Sequence, residues 1–353
     1  MISIDFYAWF GRNGYVPIQL NERFTGPHAR LNLLSGVDND TITAAFYALV
    51  VLAALFTFLG LGTRVATIIL AIGTVTLHHR NTMILHGGDT ALRLACIYLA
   101  VSPCGKALSL DRLIALWRGK APPIPYEVSL WPQRLVQFNM ALVYGTAVWH
   151  KWSGSTWRDG TATYYPGFLR EFFKFDYPPL MLHSPWMQLT TWGTLVIQFA
   201  LATLVFWRPA RKWVLLGGLF LHAQIEWMFN IPLFAFIMCS YYIMHYEGYE
   251  ISEWFKRLGT RFAKLRMVLK MPKGAKLRSG PALALASTDI MDLVQIEPGD
   301  GDKWTADKGG SPFWKSWLRS PGGWILAPIW RKMHVDAVSS ESASKIESLA
   351  ERP

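Results

Sequence analysis

Lys151 lies among Trp149, Trp152 and Trp157 in the stretch YGTAVWHKWSGSTWRDGTA, Tyr144 to Ala162. A lysine held partly out of water gives up its ammonium form more readily, and the neutral amine can then take a proton from a substrate. The tryptophans would supply the dry walls. The same spacing also suits an anchor lysine whose head snorkels to a membrane surface through an aromatic belt. His150 beside it is a weaker base candidate.

A second cluster is TLHHRNTMILHGGDTALRL, Thr76 to Leu94. Asp89 follows two glycines and precedes an apolar run, so it is placed to cap or begin a helix, with Arg93 four residues on as its partner. Arg80 and Asn81 either hold a polar ligand or finish the preceding helix. His78, His79 and His86 lack the His-x3-His spacing that sets two imidazoles on one helix face, so no metal site is assigned. A third cluster is LHAQIEWMFN, where His222 and Glu226 are four residues apart in an apolar segment. Polar groups at membrane depth are suspects for function, and the alternative is an interhelical hydrogen bond. No Walker loop, dinucleotide fingerprint, nucleophile elbow or HExxH is present, which argues against soluble nucleotide and protease chemistry.

The elements that must position these groups are apolar segments at about residues 41–59, 63–78, 90–102, 135–149, 187–207, 213–229 and 232–246. A span needs about 20 residues, and several of these are short. Half of the 353 residues are hydrophobic, only 17% are charged, and the net charge is +11. The expected fold is therefore all-α: a polytopic transmembrane helix bundle of about seven spans. Basic residues beside the spans and in one tail suit the inner face of a membrane, so the excess charge does not imply nucleic acid. Residues 1–40 and the 80–89 and 151–185 loops are expected outside, and the turn at 208–212 and the C-terminal tail in the cytoplasm. Residues 41–249 form the bundle. A basic amphipathic juxtamembrane segment covers 250–280, with Phe255, Leu258, Phe262, Leu265 and Leu269 at helical spacing. The rest, 281–353, reads as a mostly disordered tail with a Trp-rich interfacial stretch. Cys96, Cys104 and Cys239 form no disulfide or CxxC pattern and are read as packing thiols.

HHRNTMILHGGDTALRL, followed by VSPCGKALSLD, resembles the HTTM (horizontally transferred transmembrane) domain, as does YGTAVWHKWSGSTWRDGTA with its Tyr seven residues before the Lys. That family includes the membrane part of vitamin K-dependent gamma-glutamyl carboxylase. The resemblance covers about residues 5–249. It implies that Lys151 is the base that deprotonates a reduced quinone cofactor, and that Asn81 and His222 are matching site residues. Two departures go with it. Thr82 stands where the carboxylase has a histidine, and the basic tail stands where the carboxylase has a further span and a large lumenal domain, so peptide carboxylation is not expected. Family members carry a helix ahead of the segment FYAWFGRNGYVP, so the alternative to a translocated N-terminal segment is an eighth span upstream of Met1.

Three functions follow as expectations for a bacterial inner-membrane protein. The first is a quinol- or lipid-dependent enzyme with Lys151 as base and Asn81, Arg80, Asp89 and His222 lining the substrate site. The second is a non-catalytic accessory for peptide maturation, export or immunity, with a peptide or protein partner. The third is a carrier or channel whose polar path is lined by His222, Glu226 and the Asp89–Arg93 pair. Membrane lipid is the common partner.

Overall fold

The computed structural model describes residues 5–25, 31–83, 85–118, 120, 128–169, 173–175, 178–231, 233–262, 266–273, 289, 291–302 and 305–306. Among these the chain is mainly helical. The helices are α1 (Phe6–Phe10), α2 (Ile18–Thr25), α3 (Asp40–Leu59), α4 (Thr63–Arg80), α5 (Gly87–Val101), α6 (Leu110–Trp117), α7 (Trp131–Ser153), α8 (Ser155–Arg158), α9 (Ser184–Ala202), α10 (Arg208–Met228), α11 (Phe234–Ser240) and α12 (Gly248–Arg261).

Local signals explain where they begin. Asn39 caps α3, its Oδ1 accepting from the Ile42 N–H at 3.1 Å. Helices α7, α9 and α10 each carry Pro in the first turn, where no N–H is needed. All seven apolar segments are helical, the last as α11 followed by a 3-10 turn at Tyr241–His245. Among the described residues α3 alone is long and apolar enough to cross a bilayer on its own; its 20 residues rise about 30 Å. Helices α7, α9 and α10 have the length, at 23, 19 and 21 residues. Groups such as Arg134, Lys151, Gln198, Arg211 and Glu226 dilute their apolar character.

The chain divides into two compact units. The first comprises residues 1–52, 67–102 and 129–246. One of its cores packs Val136, Met140 and Tyr144 of α7 against Leu201 of α9, Leu215 of α10 and Met238 of α11. Another joins Phe6, Phe10 and Leu34 to Val50 of α3 and Leu77 of α4.

The second unit comprises residues 53–66, 103–128 and 247–353. It holds α6, α12 and a small sheet of β1 (Met267–Met271), β2 (Val294–Pro298) and β3 (Thr305–Ala306) in the order β2-β1-β3. Strand β1 runs parallel to β2 with Met267 opposite Val294, and antiparallel to β3. Here the sequence expectation and the fold differ. The amphipathic helix ends at Arg261, and Leu269 lies buried in β1 with Met267 and Met271. In MVLKM the alternation of period two that fits a strand prevails over the helical spacing. The tail read as mostly disordered is also structured in part, since the Asp289 carboxylate accepts the N–H groups of Leu293 at 3.0 Å and Val294 at 2.7 Å at the entry to β2. The Trp-rich stretch at 311–333 and the last twenty residues lie outside the described residues.

Candidate functional site

The Tyr144 hydroxyl of α7 lies 2.8 Å from Nε2 of His222 on α10 and 3.0 Å from the Tyr242 hydroxyl. All three side chains are buried, His222 to 2% exposure. The other imidazole nitrogen, Nδ1, is buried without a partner. The Phe234 ring meets His222 edge-on at 5.4 Å and His86 at 6.4 Å, so it stands between His222 and the start of α5.

Lys151 lies two residues past the apolar run 135–149, at the end of α7. It is seven residues from Tyr144, hence on the same side of the helix and about 10 Å along its axis. Its Nζ rests over the Trp157 ring, 5.3 Å from the centroid. The ring face favours the ammonium, but burial opposes it and pushes the Lys151 pKa below the ordinary lysine value. Among the described residues Lys151 makes no direct hydrogen bond to Asn81, Asp89 or His222.

Asn81 and Arg80 close α4 against the N-terminal segment. The fully buried Asn81 amide donates to the Trp9 carbonyl at 2.8 Å, and its oxygen accepts from the Met83 N–H at 3.2 Å. Arg80 Nη2 donates to the Phe10 carbonyl at 3.1 Å. Asn21 of α2, buried alongside, was not legible as a site residue. Its amide donates to the His79 carbonyl at 2.9 Å, and its oxygen accepts from the Thr82 N–H and hydroxyl at 3.1 and 2.8 Å. Thr82 is therefore a locking residue of the turn after α4.

The expected Asp89–Arg93 pair gives way to other partners, and Glu226 finds its partners away from His222. His86, not Asp89, is the N-cap of α5. Its Nδ1 accepts from the Gly88 N–H at 3.0 Å, while Asp89 reaches back to the His86 N–H at 2.8 Å. Asp89 is thus occupied by the cap, and Arg93 approaches His79 at 3.0 Å. Likewise, Glu226 faces away from His222. One of its oxygens accepts from the Ala235 N–H at 3.2 Å, and the other lies 3.8 Å from Lys174. The cause is the same in both places: a backbone N–H at a helix start is a fixed donor that a nearby carboxylate satisfies at little entropic cost.

Among the described residues no three His, Cys, Asp or Glu side chains converge as a metal site. Cys96, Cys104 and Cys239 are free thiols.

A protein of Bacillus subtilis (strain 168) described as uncharacterized protein YitO is 29% identical over 120 residues, 31% of this chain and 38% of that protein. The chain thus matches well under two thirds of that relative's length. No solved structure matches. The HTTM domain matches residues 20–248, which take in Arg80, Asn81, Asp89, Lys151 and His222. That match covers more than half of the sequence, and the chain belongs to the HTTM domain family.

Proposed function

We propose that this HTTM-family chain is a polytopic inner-membrane protein with about seven spans and a cytoplasmic tail, and that Lys151 is a general base acting on a reduced quinone or similar lipid. The single observation that carries the chemistry is the setting of Lys151. It is a half-buried amine over the Trp157 ring, without a carboxylate partner among the described residues, and its burial shifts it toward the neutral form. A neutral amine there can take a hydroxyl proton from a quinol and become the ammonium, which the Trp157 face then stabilises. Tyr144, two turns back along α7, and His222 of α10 supply a hydrogen-bonded polar wall. Asn81, Asp89 and Arg80 shape the remaining boundary.

The membrane reading rests on an outward apolar surface around buried polar groups. Leu55 and Phe58 of α3, Ile72 of α4, Phe138 and Leu142 of α7, Val196 and Phe199 of α9, and Phe220 of α10 are exposed. Arg80, Asn81, Gln137, Thr191 and His222 are inside. Lipid is a suitable surrounding for such a distribution. The carrier reading loses its polar path, because Glu226, Asp89 and Arg93 are tied to separate partners. The accessory reading predicts that Lys151 is dispensable.

The test is quinol oxidation and carbon dioxide incorporation in nanodiscs. Lys151→Ala is expected to abolish turnover while leaving expression and detergent stability nearly intact. Retained turnover overturns the assignment of the base.

A further inference from the structure

Thr76 and Arg80 stand four residues apart on one face of α4, and both are almost wholly removed from solvent, at 0% and 1% exposure. Among the described residues the Thr76 hydroxyl, and Nε and Nη1 of Arg80, have no hydrogen-bond partner. Helical side chains lean toward the N-terminus, so the Arg80 side chain lies back over the turn that carries Thr76. One of the three guanidinium nitrogens is satisfied, by the Phe10 carbonyl.

A buried guanidinium stays charged, and a buried charge is costly unless it is paired and hydrogen-bonded. The carboxylates whose charge it feels are Asp38, Glu22 and Asp40. Among the described residues none of them hydrogen-bonds Arg80, each holds other partners, and Asp38 Oδ1 is itself buried without one. Asp38 pairs with Arg12 Nε at 3.2 Å, Asp40 accepts from the Arg12 N–H at 2.6 Å, and Glu22 accepts from Ser35 and Gly36 at 2.7 and 3.0 Å. Three unsatisfied donors in one turn, two of them on a cation, call for an acceptor that carries negative charge.

We propose that Arg80 and Thr76 form a binding site for a small carboxylate-type oxyanion. The planar guanidinium matches a planar carboxylate, and the hydroxyl donates a further bond to one of its oxygens. The near-complete cover of both side chains fits a ligand of a few heavy atoms better than a lipid headgroup. This inference rests on the reading of Arg80 as a ligand-binding residue in the proposed function and is independent of Lys151 as a base.

The test measures thermal unfolding of the detergent-purified full chain with sodium formate, sodium phosphate or sodium chloride at equal ionic strength, and in nanodiscs with or without phosphatidylglycerol. Formate is expected to raise the midpoint by several degrees over chloride. Thr76→Val, which keeps the shape and removes the donor, is expected to cut that gain at least by half, and Arg80→Gln to remove it. Lys151→Ala is expected to keep the full gain, so loss of turnover there with formate stabilisation intact separates the two readings. Should Arg80→Gln fail to fold, Thr76→Val carries the test alone. The proposal is overturned if formate gives no gain over chloride, if Thr76→Val keeps the whole of it, if phosphate exceeds formate, or if only phosphatidylglycerol stabilises.

Discussion

At the scale of single residues, the Tyr144 hydroxyl is the atom on which most of the buried polar geometry depends, since it serves both His222 and Tyr242. Tyr144→Phe keeps the ring and removes the shared oxygen, leaving His222 without a partner on either nitrogen. The expected loss is about 1–3 kcal/mol, read as a lower thermal midpoint in detergent. Because both bonds share one oxygen, the Tyr144→Phe/Tyr242→Phe double variant should cost less than the sum of the single ones. An unchanged midpoint for Tyr144→Phe would show that the network adds nothing. Asp111 is the corresponding residue in the second unit. Its carboxylate accepts from the N–H groups of Gly62 and Thr63, both at 2.8 Å, and from the Thr63 hydroxyl at 2.7 Å, so it caps the start of α4 from α6. Burial alone would raise its pKa, but the bonds from Thr63 and Gly62 outweigh it and hold the carboxyl below its ordinary value. A depressed folded-state pKa gives stability that is present above the unfolded value and is lost as pH falls through the folded one. The chain should therefore lose midpoint on acidification below the ordinary Asp range. Asp111→Asn should flatten that part of the profile and lower the plateau by about 1–2 kcal/mol. A variant with the parent's acid slope would contradict this role.

At the scale of elements, the turn between α3 and α4 is built from two left-handed glycines that differ in what surrounds them. At Gly60, φ is 66°, and an added Cβ would sit 2.4 Å from Ser109 Cβ. At Gly62, φ is 55° and nothing lies within 4 Å. Gly62→Ala should cost roughly 1–2 kcal/mol of backbone strain. Gly60→Ala carries the same strain plus a clash worth about 1–3 kcal/mol more, so its midpoint in the same melt should be clearly the lower. Equal midpoints would mean that Ser109 can move aside. This turn also shows what the sequence could and could not disclose. The SLD motif at Ser109 to Asp111 was legible only as part of the family resemblance. That it caps α4 rather than only α6 was not, because the pairing spans 48 residues. The seven apolar helices were legible from composition and punctuation. The partners of Asp89 and Glu226 were not: i,i+4 spacing names a candidate on the same helix, and a backbone donor on another turn or helix competes for the same oxygen. Of the three tryptophans that the sequence sets beside Lys151, Trp157 lies against its amine while Trp149 and Trp152 are exposed, and the link from Tyr144 to His222 needed α7 and α10 to be packed side by side.

At the scale of the whole molecule, the described residues combine exposed phenylalanine and leucine on α3, α7, α9 and α10 with buried Arg80, Asn81 and His222. Water would penalise the exposed apolar faces of α3, α7, α9 and α10 at about 25 cal/mol per Å², whereas lipid would not. On the proposed membrane reading, the Lys and Arg asymmetry predicts which end of each helix faces the cytoplasm. These two premises give a topology that can be tested without any knowledge of substrate. In a chain with Cys96, Cys104 and Cys239 replaced by serine or alanine, single cysteines are placed at two exposed positions, Ser155 in α8 and Thr260 in α12. A membrane-impermeant thiol reagent added to intact bacterial spheroplasts should label Ser155→Cys fully. It should label Thr260→Cys only after lysis, because an odd number of spans puts α8 outside and the basic stretch that begins in α12 on the anionic inner leaflet. An even number of crossings between the two positions would make both react from the same side. Labelling of both in intact cells, or of neither, would therefore refute the seven-span arrangement while leaving the family assignment and the local geometry around His222 and Asp111 untouched.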